Sequence, residues 1–195
     1  MLIQEAIGIA GAIPGIWKDV ISLRAAWANR NDFLYAIDFE TRLNLDLIAA
    51  IKAGGLTGTN SAASPAFAEL MNSFETTATL ALLAGSDRQD YRTLKKLLEK
   101  HWKWTESDFA QDEEKDKVKK PENVLDAFSF SVRKIEALKR IARIAGSEAD
   151  FLKNLKLEVR INNINKALCT IRNCLKLVIA EEEQGAKKKL VKGKR

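Results

Sequence analysis

Few side chains in this chain of 195 residues could carry acid–base, nucleophilic or metal chemistry. His101 is the single histidine, which removes His-based metal sites and leaves any Ser/His or Cys/His arrangement with one candidate base. Cys169 and Cys174 are five positions apart on a predicted helix, so their side chains point well away from each other and neither pair locally nor share a metal. They read as reduced core or flank residues of a cytosolic protein, and His101 as a surface helix residue. Asp38 and Glu40 are residues of the kind a paired-carboxylate site uses, but one intervening residue on a charged helix is equally an ordinary solvated face. No glycine-rich phosphate loop, metal-ligand cluster or nucleophile–base pair is legible. The expectation is a protein that is not an enzyme and takes no cofactor.

Charge is the next feature that selects partners. The net +6 is uneven, because Lys187, Lys188, Lys189, Lys192, Lys194 and Arg195 crowd the last stretch and leave the body near neutral. A near-neutral body argues against nucleic acid as its ligand, as does the scarcity of aromatic residues interleaved with basic ones beyond Trp102-Lys103-Trp104. A basic tail over residues 184–195 suits an anionic lipid surface, a phosphate group or water alike.

The most unusual stretch lies at the other end. Residues 6–17, AIGIAGAIPGIW, are apolar or Gly/Pro throughout in a chain that is 30% charged. A helix of that length is about 18 Å long, short of the hydrocarbon thickness of about 30 Å, so it cannot span a bilayer alone. The preceding residues carry Glu5 and no cation, unlike a secretory signal, so the segment is expected to be retained. Pro14 breaks it into a short helix and a second one starting near Gly15. Two readings stay open: a buried core helix, or an element that leaves the core for a membrane through Leu2, Ile7, Ile9, Ile13, Ile16 and Trp17.

Everything between is patterned as helix. Ile16, Val20, Leu23 and Trp27 share a face, and a second helix is predicted over 33–53, with Phe33, Ile37, Leu47, Ile48 and Ile51 inward and Asp38, Glu40, Arg42 and Asp46 solvating the other side. Gly54-Gly55 stops it. A loop over 56–64 precedes Ser64-Pro65, which reads as an N-cap and first helical residue opening one helix through Leu83. Further helices are expected over 91–104, 124–145 and 148–183, with a charged connector over 105–121. Within the last, Leu157, Ile161, Ile164, Leu168, Ile171, Leu175 and Val178 recur every four and three residues, a heptad seam that must be covered. The chain's own helices are the expected cover; a second copy is the other. The fold class is therefore all-α: a single-domain bundle of about five to seven helices over 1–183, ending in a long heptad helix.

Three stretches within these helices resemble the HeLo domain, the helical N-terminal domain of fungal HET-S-type heterokaryon-incompatibility proteins, itself likened to the bundle of MLKL. The first is EAIGIAGA (5–12), followed by DFETRLNLDL (38–47) with its acidic-aromatic-acidic step. The second is ELMNSFE (69–75). The third is the basic-apolar region 137–168, containing FLKNL (151–155). The chain departs from the family in lacking a tryptophan near Ala142. The resemblance implies a membrane-perturbing cell-death effector, cytoplasmic at rest and at the plasma membrane when activated. Activation would be by homo-oligomerisation, templated by an amyloid-forming segment or an NLR-type partner, that releases residues 1–21. In that frame Asp38, Glu40, Glu69, Phe74 and Glu75 are candidates for holding the resting bundle. The alternative is a helical scaffold or small subunit binding RNA or a protein.

Overall fold

A computed structural model describes residues 30–58, 64–84, 89–102, 121–144 and 156–192. The apolar N-terminal segment, the helix expected over 15–29 and the connector over 105–120 lie outside the described residues, as do Lys194 and Arg195.

Six helices and no strand occur among the described residues, an all-α bundle. Helix α1 is Arg30–Ala53, α2 Pro65–Asn72, α3 Thr77–Leu83, α4 Gln89–His101, α5 Val124–Ile144 and α6 Leu157–Lys192. Helix α1 ends where its sequence demands. Gly55 takes φ +66°, its N–H bonds the Lys52 carbonyl at 3.1 Å, and the Leu56 N–H reaches back to the Ile51 carbonyl at 2.9 Å. This is the Schellman closure, whose left-handed residue favours glycine. At the start of α5, the Asn123 side chain accepts the Asp126 N–H at 3.0 Å while the Asp126 carboxylate accepts the Asn123 amide at 2.9 Å and the Glu122 N–H at 3.3 Å. A reciprocal cap of this kind satisfies donors that a helix start leaves open. Pro121, assigned by sequence to the solvated connector, is buried just ahead of it.

The heptad seam is covered from within the chain. Helix α6 packs along α1, α5 and α4, and Leu157, Ile161, Ile164, Leu168, Ile171, Leu175 and Val178 are all buried. They join Phe33, Leu34, Ile37, Phe67, Phe74, Phe128 and Ile135 in one core.

The helices expected over 65–83 and 148–183 differ from those observed. The single helix predicted over 65–83 is two, separated by residues 73–76, because other helices bind the backbone of that turn. The last helix begins at Leu157, and it continues past Glu183 to Lys192, so residues 184–192 extend the bundle's longest helix. Lys, Ala and Leu are good helix formers, and cations near a helix C-terminus complement its dipole.

Candidate functional site

Of the described residues that sequence singled out, Glu40 and the backbone of Glu75 meet at one buried polar junction, the turn between α2 and α3. Helix α3 has Thr76 at its N-cap, yet that hydroxyl makes no cap bond; it donates instead to Glu136 Oε1 on α5 at 3.2 Å. The capping acceptor comes from α1. Glu40, 5% exposed, accepts the Ala78 N–H at Oε2 (2.5 Å), and at Oε1 both the Thr79 N–H (3.0 Å) and the Thr79 hydroxyl (2.5 Å). One helical turn further along α1, the Asn44 amide pairs with the Glu75 backbone in both directions: Nδ2 donates to the carbonyl at 2.6 Å and Oδ1 accepts the N–H at 2.9 Å. Opposite, Lys139 meets Glu136 at 3.2 Å, which neutralises a carboxylate that is itself only 7% exposed.

Elementary electrostatics explains why this arrangement is stable. A helix start presents unpaired N–H groups and a partial positive charge, and a buried carboxylate is costly without charge-assisted hydrogen bonds. Glu40 and α3 each supply what the other lacks. Burial pushes the Glu40 carboxyl above the usual carboxylate range; the bonds from Thr79 and Ala78 pull it back only in part, and the Glu75 carboxylate adds to the rise.

The other candidates fall around this clamp. Phe74 is in the core, Glu75 contributes its backbone while its side chain is exposed, and Glu69 is exposed, with its carbonyl accepting the Ser73 hydroxyl at 3.0 Å. Asp38 is buried but turns to Arg42 at 3.0 Å, one turn along its own helix. The expectation that Asp38 and Glu40 solvate the outer side of α1 is therefore corrected. Their neighbour Phe39 is the residue that faces water, 63% exposed. Asp38 and Glu40 engage different partners, and Glu40's oxygens are occupied by backbone and hydroxyl donors. Asn44, Thr76, Thr79, Glu136 and Lys139 were not singled out by sequence, yet they complete the junction.

We expect Asn44→Ala to cost about 1–3 kcal/mol, the penalty for leaving a part-buried donor and acceptor unpaired, read as a lower urea midpoint with unchanged slope. A loss under about 0.5 kcal/mol would show that the turn holds itself.

A second cluster fixes the end of α4 to α6. Glu181 accepts Lys100 Nζ at 2.7 and 2.8 Å and lies 2.5 Å from His101 Nε2; these bonds hold its carboxyl below the usual range. His101, expected at the surface, is thus half-buried, with its ring nitrogen against the Glu181 carboxylate. Buried Cys174 donates its thiol to the Leu98 carbonyl at 3.2 Å, burial pushing it up to about 12, and exposed Cys169 is also free. Among the described residues no group of side chains suits a metal ion, and no helix is long and apolar enough to cross a membrane. Compared with family models, curated proteins and solved structures, the chain matches none.

Proposed function

We propose that this chain is a non-enzymatic, membrane-perturbing effector domain of the HeLo kind, resting as a helical bundle and activated when several copies are brought together. The observation that supports this reading is the meeting of two resemblance motifs in space. Glu40 and Asn44 of DFETRLNLDL bind the turn formed by the end of ELMNSFE and the residues after it. The residues that carry the likeness thereby hold the bundle closed. In this reading residues 1–21 are the inserting element, with Leu2, Ile7, Ile9, Ile13, Ile16 and Trp17 entering lipid, and the lysine-rich residues 187–195 approach anionic headgroups. An apolar run of this length is too short to span a bilayer alone, so permeabilisation is expected to need several copies acting together.

The test is to fuse the chain to an inducible oligomeriser and follow dye release from vesicles rich in anionic lipid. Clustering should cause release, and Ile9→Lys should abolish it, because a cation at the middle of an inserting segment costs about 2.5–3.5 kcal/mol per copy. The thermal midpoint is measured beside it, to separate loss of insertion from loss of fold. Absence of both leakage and membrane recruitment from clustered, folded protein would defeat the proposal. A protein-binding helical scaffold is the second reading; Tyr35 and Phe39, 46% and 63% exposed one turn apart on α1, favour it. Capture of a protein partner that Phe39→Ser abolishes, without leakage, would select it.

A further inference from the structure

Helix α5 carries more cations than the bundle uses. Its second half, residues 133–144, reads RKIEALKRIARI, five cations to one acid. The acid is Glu136, which is buried and meets Lys139 at 3.2 Å. Lys134 turns onto the Phe130 ring, its Nζ 5.5 Å from the centroid. Those contacts leave Arg133, Arg140 and Arg143, all exposed and none in an ion pair or a side-chain hydrogen bond among the described residues.

The three share a surface. Arg133 and Arg140 are seven positions apart and so lie on one face, with half-buried Ala137 between them and Ile144, 42% exposed, one turn beyond. Arg143 borders that face, three positions from Arg140. On one side of it Phe130 packs on Ala167 of α6, and on the other Glu136 takes the Thr76 hydroxyl; at 100° per residue the arginines point between these two contacts and are covered by neither. Like charges at such spacing repel and weaken a helix slightly. One cation in the last turn would complement the helix dipole, but the bundle by itself gives no reason for three arginines on an acid-free face.

We propose that this face of α5 docks the chain onto an anionic membrane surface, with Arg133, Arg140 and Arg143 on lipid phosphates and Ile144 at the interface. Charge complementarity selects an anionic partner, and guanidinium forks match phosphate oxygens two at a time. The residues among the arginines select lipid. Alanine and isoleucine suit a layer in which headgroups overlie hydrocarbon, where apolar side chains enter and cationic ones reach back to the phosphates. A face for single-stranded nucleic acid needs aromatic rings on which bases stack, and both aromatic residues of α5, Phe128 and Phe130, are buried. The face is also distinct from the lysine-rich tail. Phe130, one turn before Arg133, meets α6 at Ala167, and Lys187 lies 20 positions further along that helix (187 − 167), about 30 Å away. The choice of lipid rests on the membrane reading above, but the two fail separately: this face is read by binding of the unclustered chain, that reading by leakage after clustering.

Co-sedimentation of the full chain with vesicles at about 0.1 M salt, where an exposed charge acts over about 10 Å, tests the proposal. The vesicles are phosphatidylcholine alone or phosphatidylcholine with about 30% phosphatidylserine, whose headgroups attract basic segments. Each cation beside such a surface is worth about fivefold in binding. Arg133→Gln/Arg140→Gln/Arg143→Gln should therefore weaken binding to the anionic vesicles about 100-fold and leave binding to the neutral ones unchanged. Arg133→Lys/Arg140→Lys/Arg143→Lys should keep most of it. The same arginine-dependent loss should appear in a chain that also carries Lys187→Gln, Lys188→Gln and Lys189→Gln. An unchanged urea midpoint shows that the fold is intact; if the triple variant does not fold, Arg133→Gln and Arg140→Gln are measured singly, each with a loss of about fivefold. A wild type with no preference for the anionic vesicles overturns the proposal, as does a folded glutamine variant that binds them like the wild type. Loss of binding to single-stranded RNA with vesicle binding intact also overturns it and gives the face to nucleic acid.

Discussion

Glu40→Ala should lower the stability of the folded chain by about 3–5 kcal/mol. The substitution removes the acceptor for the Ala78 and Thr79 N–H groups and the Thr79 hydroxyl together, at a place 5% exposed where water does not readily replace it. Each buried donor left unpaired costs about 1–3 kcal/mol, and hydrogen bonds to a charged group lie at the stronger end. Relief of the carboxylate's own desolvation offsets part of the sum. Urea denaturation measures it, and a loss below about 1 kcal/mol would mean that α3 does not depend on α1 for its cap. The same carboxylate sets a pH dependence. Because burial raises its pKa in the folded chain, the native state holds a proton on Glu40 at pH values where the unfolded chain has released it. The associated stability is fully present below the unfolded value of about 4.3 and is lost as pH rises through the higher folded value. Relative to Glu40→Gln, the wild type should therefore gain stability as pH falls from neutrality toward the unfolded value. A difference between the two that stays constant, or moves the other way, would remove Glu40 as the cause.

Ile171→Ala should cost about 2–4 kcal/mol, while Leu177→Ala on the same helix should change stability by less than about 0.5 kcal/mol. Ile171 has 0% exposure and lies in the core shared with α1 and α5, whereas Leu177 is 48% exposed. A large-to-small change in a packed core loses transfer energy and leaves a cavity; an exposed leucine has neither to lose. The pair of thermal midpoints at low protein concentration separates the two arrangements that the heptad pattern allows. If the seam were covered by a second copy, the Ile171→Ala loss would vanish for the monomer and the midpoint would vary with concentration.

Periodicity by itself determined the helical class of the described segments and which face of the last helix is buried. The four-three spacing from Leu157 to Val178 is a property of the chain that no neighbour has to supply, and each of those residues is buried. The same holds for the close of α1 at Gly54-Gly55, since a positive φ is cheap for glycine alone. The clamp was partly legible. Glu40 and Asn44 recur with Phe33, Ile37, Ile48 and Ile51 at helical spacing on one face, and two polar residues inside an apolar stripe signal a buried polar contact. What they bind lies over thirty positions away in sequence, at a distance no helical pattern reports. The same long-range bonds divided the helix predicted over 65–83, because the Glu75, Ala78 and Thr79 backbone groups pair with side chains of α1, overriding local helix propensity. Tertiary structure alone also decided that Phe39 faces water between two buried acids. Hydrophobicity ranks Phe39 as the residue to bury, but Glu40 gains more inside, where α3 presents hydrogen-bond donors to it, than it would in solvent.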